Sequence, residues 1–300
     1  MPLIWHACPL ARCCEVTLSG EGGLGWFQAV ILGLVEGVTE FLPISSTGHL
    51  IVTNALFGVS DPAFEVAIQA GAITAILALY WRDLADAVRS IRSPRSAERP
   101  RVNLLWLIVI AALPAAFVGV LLEEQIEALL FNPVTVGVVL MLGGVAFLLV
   151  ERWLATRQRS TEGREVGITE MTAGQALLIG AWQCLALVPG TSRSGATIIG
   201  GLLTGMSRKA AAEFSFLVGL PVLYGACLLK VVGDYERLTG PMLPSLLLSS
   251  AVAFVSAYVV VRAFVRYLQR NTFRVFAYYR LIAGAGILVM YYAGPLVSDG

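Results

Sequence analysis

Six stretches of the chain are apolar over enough residues to cross a membrane. A helix needs roughly 20 apolar residues to cross about 30 Å of hydrocarbon, and tilting adapts somewhat longer or shorter helices to the same thickness. The six predicted spans cover approximately residues 63–81, 103–122, 134–150, 210–230, 244–265 and 275–294. The pattern therefore predicts an all-α membrane protein with about six transmembrane helices.

Two further apolar stretches are interrupted by short polar segments. Gly25–Leu42 leads into Pro-Ile-Ser-Ser-Thr-Gly-His at residues 43–49, and Thr172–Val188 leads into Pro-Gly-Thr-Ser-Arg-Ser-Gly at residues 189–195. Proline ends a helix at the preceding residue, and glycine permits unusual dihedral angles. Each stretch therefore predicts two half-helices around a polar break. At membrane depth, such irregular backbone is tolerated only where protein or a water-filled cavity surrounds it.

Composition supports the membrane class. Hydrophobic residues make up 57% of the chain, charged residues 14%, and the mean hydropathy is +0.77, whereas soluble domains hold about 25% charged residues. The net charge of +1 says nothing about nucleic acid, but no basic patch has the interleaved aromatic residues of an RNA-binding protein, so no nucleic-acid partner is expected. The five cysteines show neither metal-binding spacing nor a disulfide framework.

The beginning of the chain differs from the rest. Residues 1–24 lack the basic start and continuous apolar core of a signal peptide. We interpret them as a poorly ordered N-terminal extension. A single membrane domain is expected over residues 25–296.

Arginine-rich connections predict the orientation of the spans. Residues 82–101 hold six arginines, residues 151–170 hold four and residues 262–280 hold five, whereas residues 123–133 hold three acids and no base. Because basic connections face the cytoplasm, the first span begins outside and the chain ends outside. The first interrupted stretch must then enter and leave the membrane from the outer face, and the second from the inner face.

A shift of 147 positions aligns the two interrupted stretches. The aligned residues are Gln28 with Gln175, Ala29 with Ala176, Gly33 with Gly180, Glu36 with Gln183, Ser45 with Ser192, Gly48 with Gly195 and, after one residue of slippage, Glu65 with Glu213 and Gly71 with Gly219. Each half, at about residues 25–151 and 172–294, is a broken element followed by three spans. An odd number of spans gives the halves opposite orientations. The alignment and the charge pattern together predict an inverted-topology repeat with its functional site near the membrane midplane.

The first break carries two acids. Glu36 and Glu40 are spaced i, i+4, so their carboxylates project from one helix face, and acids at membrane depth usually mark a functional interior. The pair could hold a divalent cation through oxygen ligands, or one of them could move protons. A purely structural pair, satisfied by arginine or by backbone donors, is the alternative.

Hydroxyl groups and a histidine follow the two acids. Ser45, Ser46 and Thr47 precede Gly48 and His49, where a new half-helix is expected to begin. Free backbone N–H groups and the positive end of a helix dipole suit an anion such as phosphate. Ser46 or His49 could also act as a nucleophile if a neighbouring base activated it. Simple capping of the helix is the alternative.

The second break carries an arginine among hydroxyl groups. Its candidate phosphate-binding residues are Ser192, Arg193, Ser194 and Thr197. The planar guanidinium of Arg193 matches phosphate oxygens and can stabilise charge on a transferring phosphoryl group; an ion pair with Glu36 or Glu40 is the alternative. Three further polar residues within predicted helices are expected to support the site or to join helices: Gln69, Gln183 and Glu213.

These residues resemble a known family. Glu36-Gly-Val-Thr-Glu-Phe-Leu-Pro-Ile-Ser-Ser-Thr-Gly-His49 and Pro189-Gly-Thr-Ser-Arg-Ser-Gly-Ala-Thr-Ile198 are similar to the two signature stretches of the undecaprenyl-diphosphate phosphatases, the bacitracin-resistance enzymes of membranes. The likeness covers about residues 25–294. It implies hydrolysis of undecaprenyl diphosphate to undecaprenyl phosphate and inorganic phosphate. This reaction recycles the lipid carrier for peptidoglycan synthesis and confers bacitracin resistance.

The resemblance also implies roles for single residues. Glu36 and Glu40 correspond to the catalytic or metal-binding acids, Ser46 to the nucleophile, His49 to a catalytic or orienting group, and Arg193 to a phosphate clamp. A divalent cation, Mg²⁺ or Ca²⁺, is expected as cofactor. The implied location is the bacterial plasma (inner) membrane, with the site open to the outer (periplasmic) face.

Two questions remain open at this point. A lipid or small-anion transporter or flippase would also use inverted repeats and broken helices. Only a hydrolase would release inorganic phosphate from its substrate, so an assay of phosphate release distinguishes the two classes. Faces lined with small residues are compatible with a homodimer.

Overall fold

A computed structural model describes residues 24–57, 61–92, 103–160 and 165–294. Over these ranges the fold is all-α, apart from an isolated bridge between Val166 and Met206. Its helices are α1 (Trp26–Thr39), α2 (Ser46–Phe57), α3 (Pro62–Leu79), α4 (Trp81–Arg92), α5 (Leu104–Leu130), α6 (Pro133–Ser160), α7 (Ala173–Gln183), α8 (Arg193–Leu203), α9 (Arg208–Gly233), α10 (Tyr235–Thr239), α11 (Leu243–Leu268) and α12 (Arg274–Tyr292). The N-terminal extension, except for its last residue, lies outside the described residues.

Six of these helices are long and apolar enough to cross a membrane, namely α3, α5, α6, α9, α11 and α12. They coincide with the six spans predicted from hydropathy, which are thereby confirmed. Large apolar side chains such as Val120, Leu229 and Ile282 are exposed on their outer surfaces. Exposed apolar surface of this extent is expected where helices face lipid rather than water.

Helix α4 is an element that the hydropathy pattern alone did not predict. It lies within the arginine-rich connection after α3 and has charged residues on one side. Trp81, Val88 and Ile91 are exposed apolar residues of the same helix. Its composition is that of a helix lying along a membrane surface, not of one that crosses the membrane.

Both interrupted stretches fold as two half-helices, as predicted. The first break, residues 40–45, separates α1 from α2, and the second break, residues 184–192, separates α7 from α8 and begins with a 3₁₀ turn. Ser45 and Ser192 end the two breaks with φ angles of 69° and 72°. This left-handed conformation is uncommon outside glycine. It redirects the chain sharply, so that each second half-helix begins at the next residue.

The two broken elements share the same hydrogen-bonded frame. Gln28 Oε1 accepts from the amide three residues before it (3.1 Å), and its Nε2 donates to the carbonyl of Phe57 (3.4 Å) at the end of α2. Gln175 makes the same two bonds in the second element, at 2.9 Å to the amide and 3.0 Å to the carbonyl of Thr204. The repeat predicted from the 147-residue shift is therefore also present in the local structure.

Each first half-helix packs against a span that belongs to the other half of the chain. A Cβ atom on Gly33 of α1 would lie 2.3 Å from the carbonyl oxygen of Ser249 in α11. In the same way, a Cβ atom on Gly180 of α7 would lie 2.5 Å from the carbonyl oxygen of Ala111 in α5. The helix pairs α3–α9 and α6–α12 complete the packing. Within the first break, Glu40, Phe41, Ile44 and Ser45 are buried, whereas Leu185 of the second break is exposed.

A buried carboxylate joins three spans at some distance along the chain from the breaks. Glu151, near the end of α6, is 1% exposed. It accepts from Nε and Nη2 of Arg208 at the start of α9 (2.9 and 2.6 Å) and from the backbone N–H of Phe273 (2.9 Å). Phe273 immediately precedes α12, so the carboxylate satisfies a free donor at the beginning of that helix.

Candidate active site

The two breaks lie side by side and are joined by hydrogen bonds. Nη2 of Arg193, which begins α8 directly after the second break, is 3.4 Å from Oε1 of Glu40 in the first break. The hydroxyl of Ser194 donates to the carbonyl of Leu42 (3.0 Å). The fold thus brings together the two polar segments that the sequence analysis selected.

A short hydrogen bond in this region joins a hydroxyl and a carboxylate. The hydroxyl of Ser46 donates to Oε2 of Glu40 at 2.7 Å, and both residues are buried. A hydroxyl bonded to a carboxylate at this distance has a base in position to take its proton. Ser46 is also the first residue of α2, where the backbone amides of the first turn have no partner inside the helix. The arrangement suits attack on an anionic group held at that helix end.

Arg193 is held beside this pair. Its Nη1 donates to the carbonyl of Ser215 in α9 (2.9 Å), and its guanidinium lies 6.0 Å from the centre of the Phe41 ring. A Cβ atom on Gly219 would be 2.7 Å from Nη1, so the arginine needs a glycine there. Nε is buried and has no hydrogen-bond partner in the described part of the chain. Arg193 therefore retains a free donor that an anion can use.

Ser46 and Arg193 occupy equivalent positions in the repeat. Each is the first residue of the second half-helix, and each directly follows the serine with a positive φ angle. The two halves thus contribute different functional groups from the same structural position. Neither half contains both groups at this position.

Glu36 lies one turn before Glu40 on α1 and is fully buried. Neither of its carboxylate oxygens has a hydrogen-bond partner among the described residues. Glu40 pairs with Arg193, whereas Glu36 has no such partner, and a buried carboxylate without a partner is unfavourable. A bound cation or a proton would satisfy Glu36. The functional roles of both acids stay predictions.

The hydroxyls of the second break bond to protein groups. Ser192 Oγ accepts from the N–H three residues later (3.2 Å), which caps α8, and it lies 3.0 Å from Ser194 Oγ. Thr197 Oγ1 lies 2.6 Å from the hydroxyl of Ser215. These contacts order the beginning of α8. Direct binding of phosphate by Ser192, Ser194 and Thr197 stays a prediction.

His49 is bonded to residues other than the candidate nucleophile and its carboxylate. Its Nδ1 donates to the carbonyl of Ser45 (2.7 Å), and its Nε2 lies 2.5 Å from the hydroxyl of Tyr279. The imidazole ring also stacks on the aromatic ring of Tyr279. Thr47 and Gly48 lie in the same first turn of α2. In this geometry His49 attaches the beginning of α2 to α12. Its predicted catalytic or orienting role stays a prediction.

The three supporting residues have different surroundings. Gln183, the counterpart of Glu36, is 1% exposed, and neither atom of its amide group has a partner among the residues that the structure describes. Gln69 is half-buried on α3. Glu213 forms a long ion pair with Lys209 on the same helix (3.8 Å). Their predicted support of the site stays a prediction.

The sequence analysis missed one arginine that contacts both breaks. Arg280 of α12 is 0% exposed. Its Nε donates to the carbonyl of Leu140 (3.1 Å), its Nη1 to that of Pro43 (3.2 Å), and its Nη2 to those of Gly190 (3.1 Å) and Thr191 (3.0 Å). Counting Arg280 with the basic residues of a cytoplasmic connection was therefore wrong. Its position inside the last predicted span was the available signal.

Fold and site together define a class: a multi-pass, all-α membrane protein with one buried polar centre built from two broken helices. The sequence profile of the family described as "Bacitracin resistance protein BacA" matches residues 29–286, and the chain belongs to this family. This result confirms the resemblance drawn from the two signature stretches.

Individual relatives are similar over almost the whole chain. Undecaprenyl-diphosphatase 1 of Burkholderia lata is 43% identical over 272 residues, which cover 90% of this chain and 96% of the relative. Undecaprenyl-diphosphatase 3 of Acinetobacter baylyi is 42% identical over 273 residues, with 90% and 98% covered. The undecaprenyl-diphosphatase of Verminephrobacter eiseniae is 44% identical over 268 residues, with 88% and 93% covered. The chain is accordingly an enzyme of the phosphatase class, as predicted.

Proposed function

We propose that the chain hydrolyses undecaprenyl diphosphate to undecaprenyl phosphate and inorganic phosphate. The observation that carries the proposal is the 2.7 Å hydrogen bond from Ser46 to Glu40 at the beginning of α2, with Arg193 beside the other carboxylate oxygen. Relatives at 42% to 44% identity bear the name undecaprenyl-diphosphatase, which supports this substrate. Recycling of the lipid carrier for peptidoglycan synthesis and resistance to bacitracin are parts of the same proposal.

The arrangement meets the physical requirements of such a substrate. The diphosphate must reach a polar centre while the long isoprenoid tail remains in lipid. Moving the diphosphate out of water is unfavourable unless other groups replace its hydration. The free Nε of Arg193 and the amides in the first turn of α2 are donors that can do so.

The two acids of α1 fit a divalent cation. Glu36 has a buried carboxylate without a partner, and Glu40 lies one turn further along the same helix. No group of three or more His, Cys, Asp or Glu side chains that could hold a metal occurs in the described ranges, so the other ligands would be phosphate oxygens and water, as is common for Mg²⁺. A cation bound there would neutralise charge on the diphosphate.

We propose a reaction in two steps. In the first, Oγ of Ser46 attacks the terminal phosphorus while Glu40 takes the hydroxyl proton. The bond to the bridging oxygen breaks, and undecaprenyl phosphate leaves with that oxygen. In the second, water attacks the phosphorus of the phosphoserine and the bond from phosphorus to Oγ breaks. Oγ takes back the proton from Glu40, and both water protons leave with inorganic phosphate. Arg193 stabilises the charge that develops on the phosphoryl oxygens. Direct attack by a water molecule that Glu40 activates is the alternative.

Phosphate release from purified protein tests the assignment. Wild type and the variants Ser46→Ala, Glu40→Gln and Arg193→Lys would receive a C15 or C55 isoprenyl diphosphate with Mg²⁺. We expect Ser46→Ala to lose at least about 1,000-fold in kcat, because the nucleophile is removed. Ser249→Ala is the matched control, since this buried serine only donates to a backbone carbonyl (2.7 Å).

Each outcome of this assay has a distinct meaning. Activity that survives in Ser46→Ala but not in Glu40→Gln would replace the phosphoserine step by direct attack of water. Full activity in all three variants would reject the site. A folded wild-type protein that releases no phosphate from either substrate would reject hydrolysis and favour the transporter class.

We further propose that the site opens to the outer face of the bacterial plasma membrane. The arginine-rich connections support this orientation because basic segments face the cytoplasm. A single cysteine at Asp86 on α4, where the side chain is 73% exposed, tests it in a variant whose five native cysteines have been replaced. It should resist a membrane-impermeant thiol reagent added to intact cells. Ready labelling would invert the orientation.

A further inference from the structure

Arg280 has surroundings unlike those of Arg193. Its guanidinium is fully buried, and all four of its acceptors are backbone carbonyls: two in the second break, one in the first break and one in α6. No carboxylate is within ion-pair distance of it in the part of the chain that the structure describes. A buried cation without a carboxylate partner needs another source of negative charge.

Carbonyl dipoles take the place of that partner. Pro43 lies in the first break, Gly190 and Thr191 lie in the second break, and Leu140 lies in α6. Hydrogen bonds from a charged donor are stronger than those between neutral groups, so the four acceptors together stabilise the buried guanidinium. Arg280 also satisfies carbonyls that would be costly to leave unpaired away from water.

The shape of the guanidinium adds a geometric constraint. One terminal nitrogen bonds the first break and the other bonds the second, so a single rigid plane bridges both. Ser46 comes three residues after Pro43, and Arg193 comes two residues after Thr191. The bridge therefore holds the backbone two to three residues before each of these two residues.

A glycine in α6 makes room for this bridge. A Cβ atom on Gly143 would lie 2.1 Å from Nη2 of Arg280. The guanidinium therefore has little freedom to shift, and any side chain at Gly143 would displace it.

We propose that Arg280 is a positioning residue that sets the distance between Ser46 and Arg193 by bonding both breaks at once. It acts through these two residues and does not itself bind the diphosphate. The inference rests on the proposed function, because that function assigns the nucleophile to Ser46 and the phosphate clamp to Arg193.

The test compares kcat and KM in Arg280→Lys and Arg208→Lys. Lysine keeps the charge, but its compact ammonium group cannot bond both breaks in one plane. Misplacing reacting groups by about 1 Å can lower the rate about 100-fold, so we expect Arg280→Lys to lose about 100-fold in kcat with KM within about threefold. Arg208→Lys disturbs a buried ion pair with Glu151 (2.6 Å). This control should lower Tm and leave kcat unchanged.

A second variant keeps the test valid if Arg280→Lys does not fold. Gly143→Ala keeps the arginine and displaces its guanidinium, so it should also lower kcat and leave KM unchanged. Gly119→Ala is the control, because its new Cβ would make only an ordinary contact at 3.5 Å with Leu187.

The possible results separate the proposals. A raised KM with normal kcat in Arg280→Lys would show direct binding of substrate and overturn the inference. The control variants could also lower kcat as much as the test variants do, Arg208→Lys as much as Arg280→Lys or Gly119→Ala as much as Gly143→Ala. Either result would show that Arg280 contributes only to the general stability of the fold. Normal kcat in Arg280→Lys, with an active wild type, would reject this inference alone. An inactive wild type would reject the proposed function instead.

Discussion

Replacing Glu40 with glutamine tests the base that the structure places next to Ser46. Glutamine has the same shape and can still accept a hydrogen bond from the hydroxyl, but it cannot take a proton at neutral pH. The hydroxyl of Ser46 donates to Oε2 of Glu40 at 2.7 Å and to no other group in the described ranges. The ring nitrogens of His49 contact the Ser45 carbonyl and the Tyr279 hydroxyl, not the hydroxyl of Ser46.

The size of the effect follows from these contacts. A positioned general base contributes about 10²- to 10⁴-fold to a rate, which corresponds to about 2.7 to 5.4 kcal/mol at roughly 1.36 kcal/mol per tenfold. With no second base in contact with Ser46, we expect the loss in kcat to fall in the upper half of this range. KM should stay the same or fall, because Arg193 loses its charged partner at 3.4 Å and meets the anionic substrate unpaired.

Initial rates of phosphate release over a range of substrate concentrations give kcat and KM separately. Glu151→Gln is the matched control, since Glu151 is also a buried carboxylate paired with an arginine (2.6 Å), but its hydrogen bonds go to Arg208 and Phe273 and not to the breaks. The control should lower Tm and keep kcat. A loss below about tenfold in Glu40→Gln, or a raised KM with normal kcat, would refute the assignment of Glu40 as base.

Three further predictions concern the surroundings of this pair. Glu36→Gln should raise the Mg²⁺ concentration for half-maximal activity at least about tenfold, because a cation would lose one of two carboxylate ligands; an unchanged Mg²⁺ titration would exclude Glu36 as a ligand. Gly33→Ala should lower Tm in detergent, because its Cβ would lie 2.3 Å from a carbonyl oxygen of α11. Gly225→Ala, whose Cβ would meet open space, should leave Tm unchanged. Equal Tm values for the two variants would contradict the close packing at Gly33. Tyr279→Phe removes one of two hydrogen bonds of His49 and should lower kcat only about two- to fivefold; a loss near that of Glu40→Gln would give His49 a part in catalysis.

Much of the fold could be predicted because the membrane imposes simple rules. Spans must be about 20 residues long and apolar, so hydropathy alone located all six. Proline and glycine indicated both breaks, but not the residues at which the second half-helices begin. Those positions depend on Ser45 and Ser192, which adopt positive φ angles. Serine seldom does so, and local sequence does not reveal it.

The sequence could predict which residues form the candidate site, but not which of these residues contact each other. Glu40 and Ser46 are only six residues apart, and their types suggested a base and a nucleophile. That Glu40, and not His49, contacts the hydroxyl depends on the turn between α1 and α2. The partner of His49, Tyr279, lies 230 residues away. Arg280 was misassigned because charge counting treats an arginine near the end of a span as facing water, whereas tertiary contacts bury this one.

The matching hydrogen bonds of Gln28 and Gln175 have a consequence for how the sequence can change over time. Each glutamine connects the beginning of its broken element to a carbonyl 29 residues further on, so each element is a closed ring with a set number of residues. Inserting or deleting one residue inside a ring would open the glutamine bond or rotate the second half-helix by about 100°, turning Ser46 or Arg193 away from the other. Amino-acid exchanges inside these rings are therefore easier to tolerate than changes in their length, whereas length changes should be accepted more readily in the connections between helices.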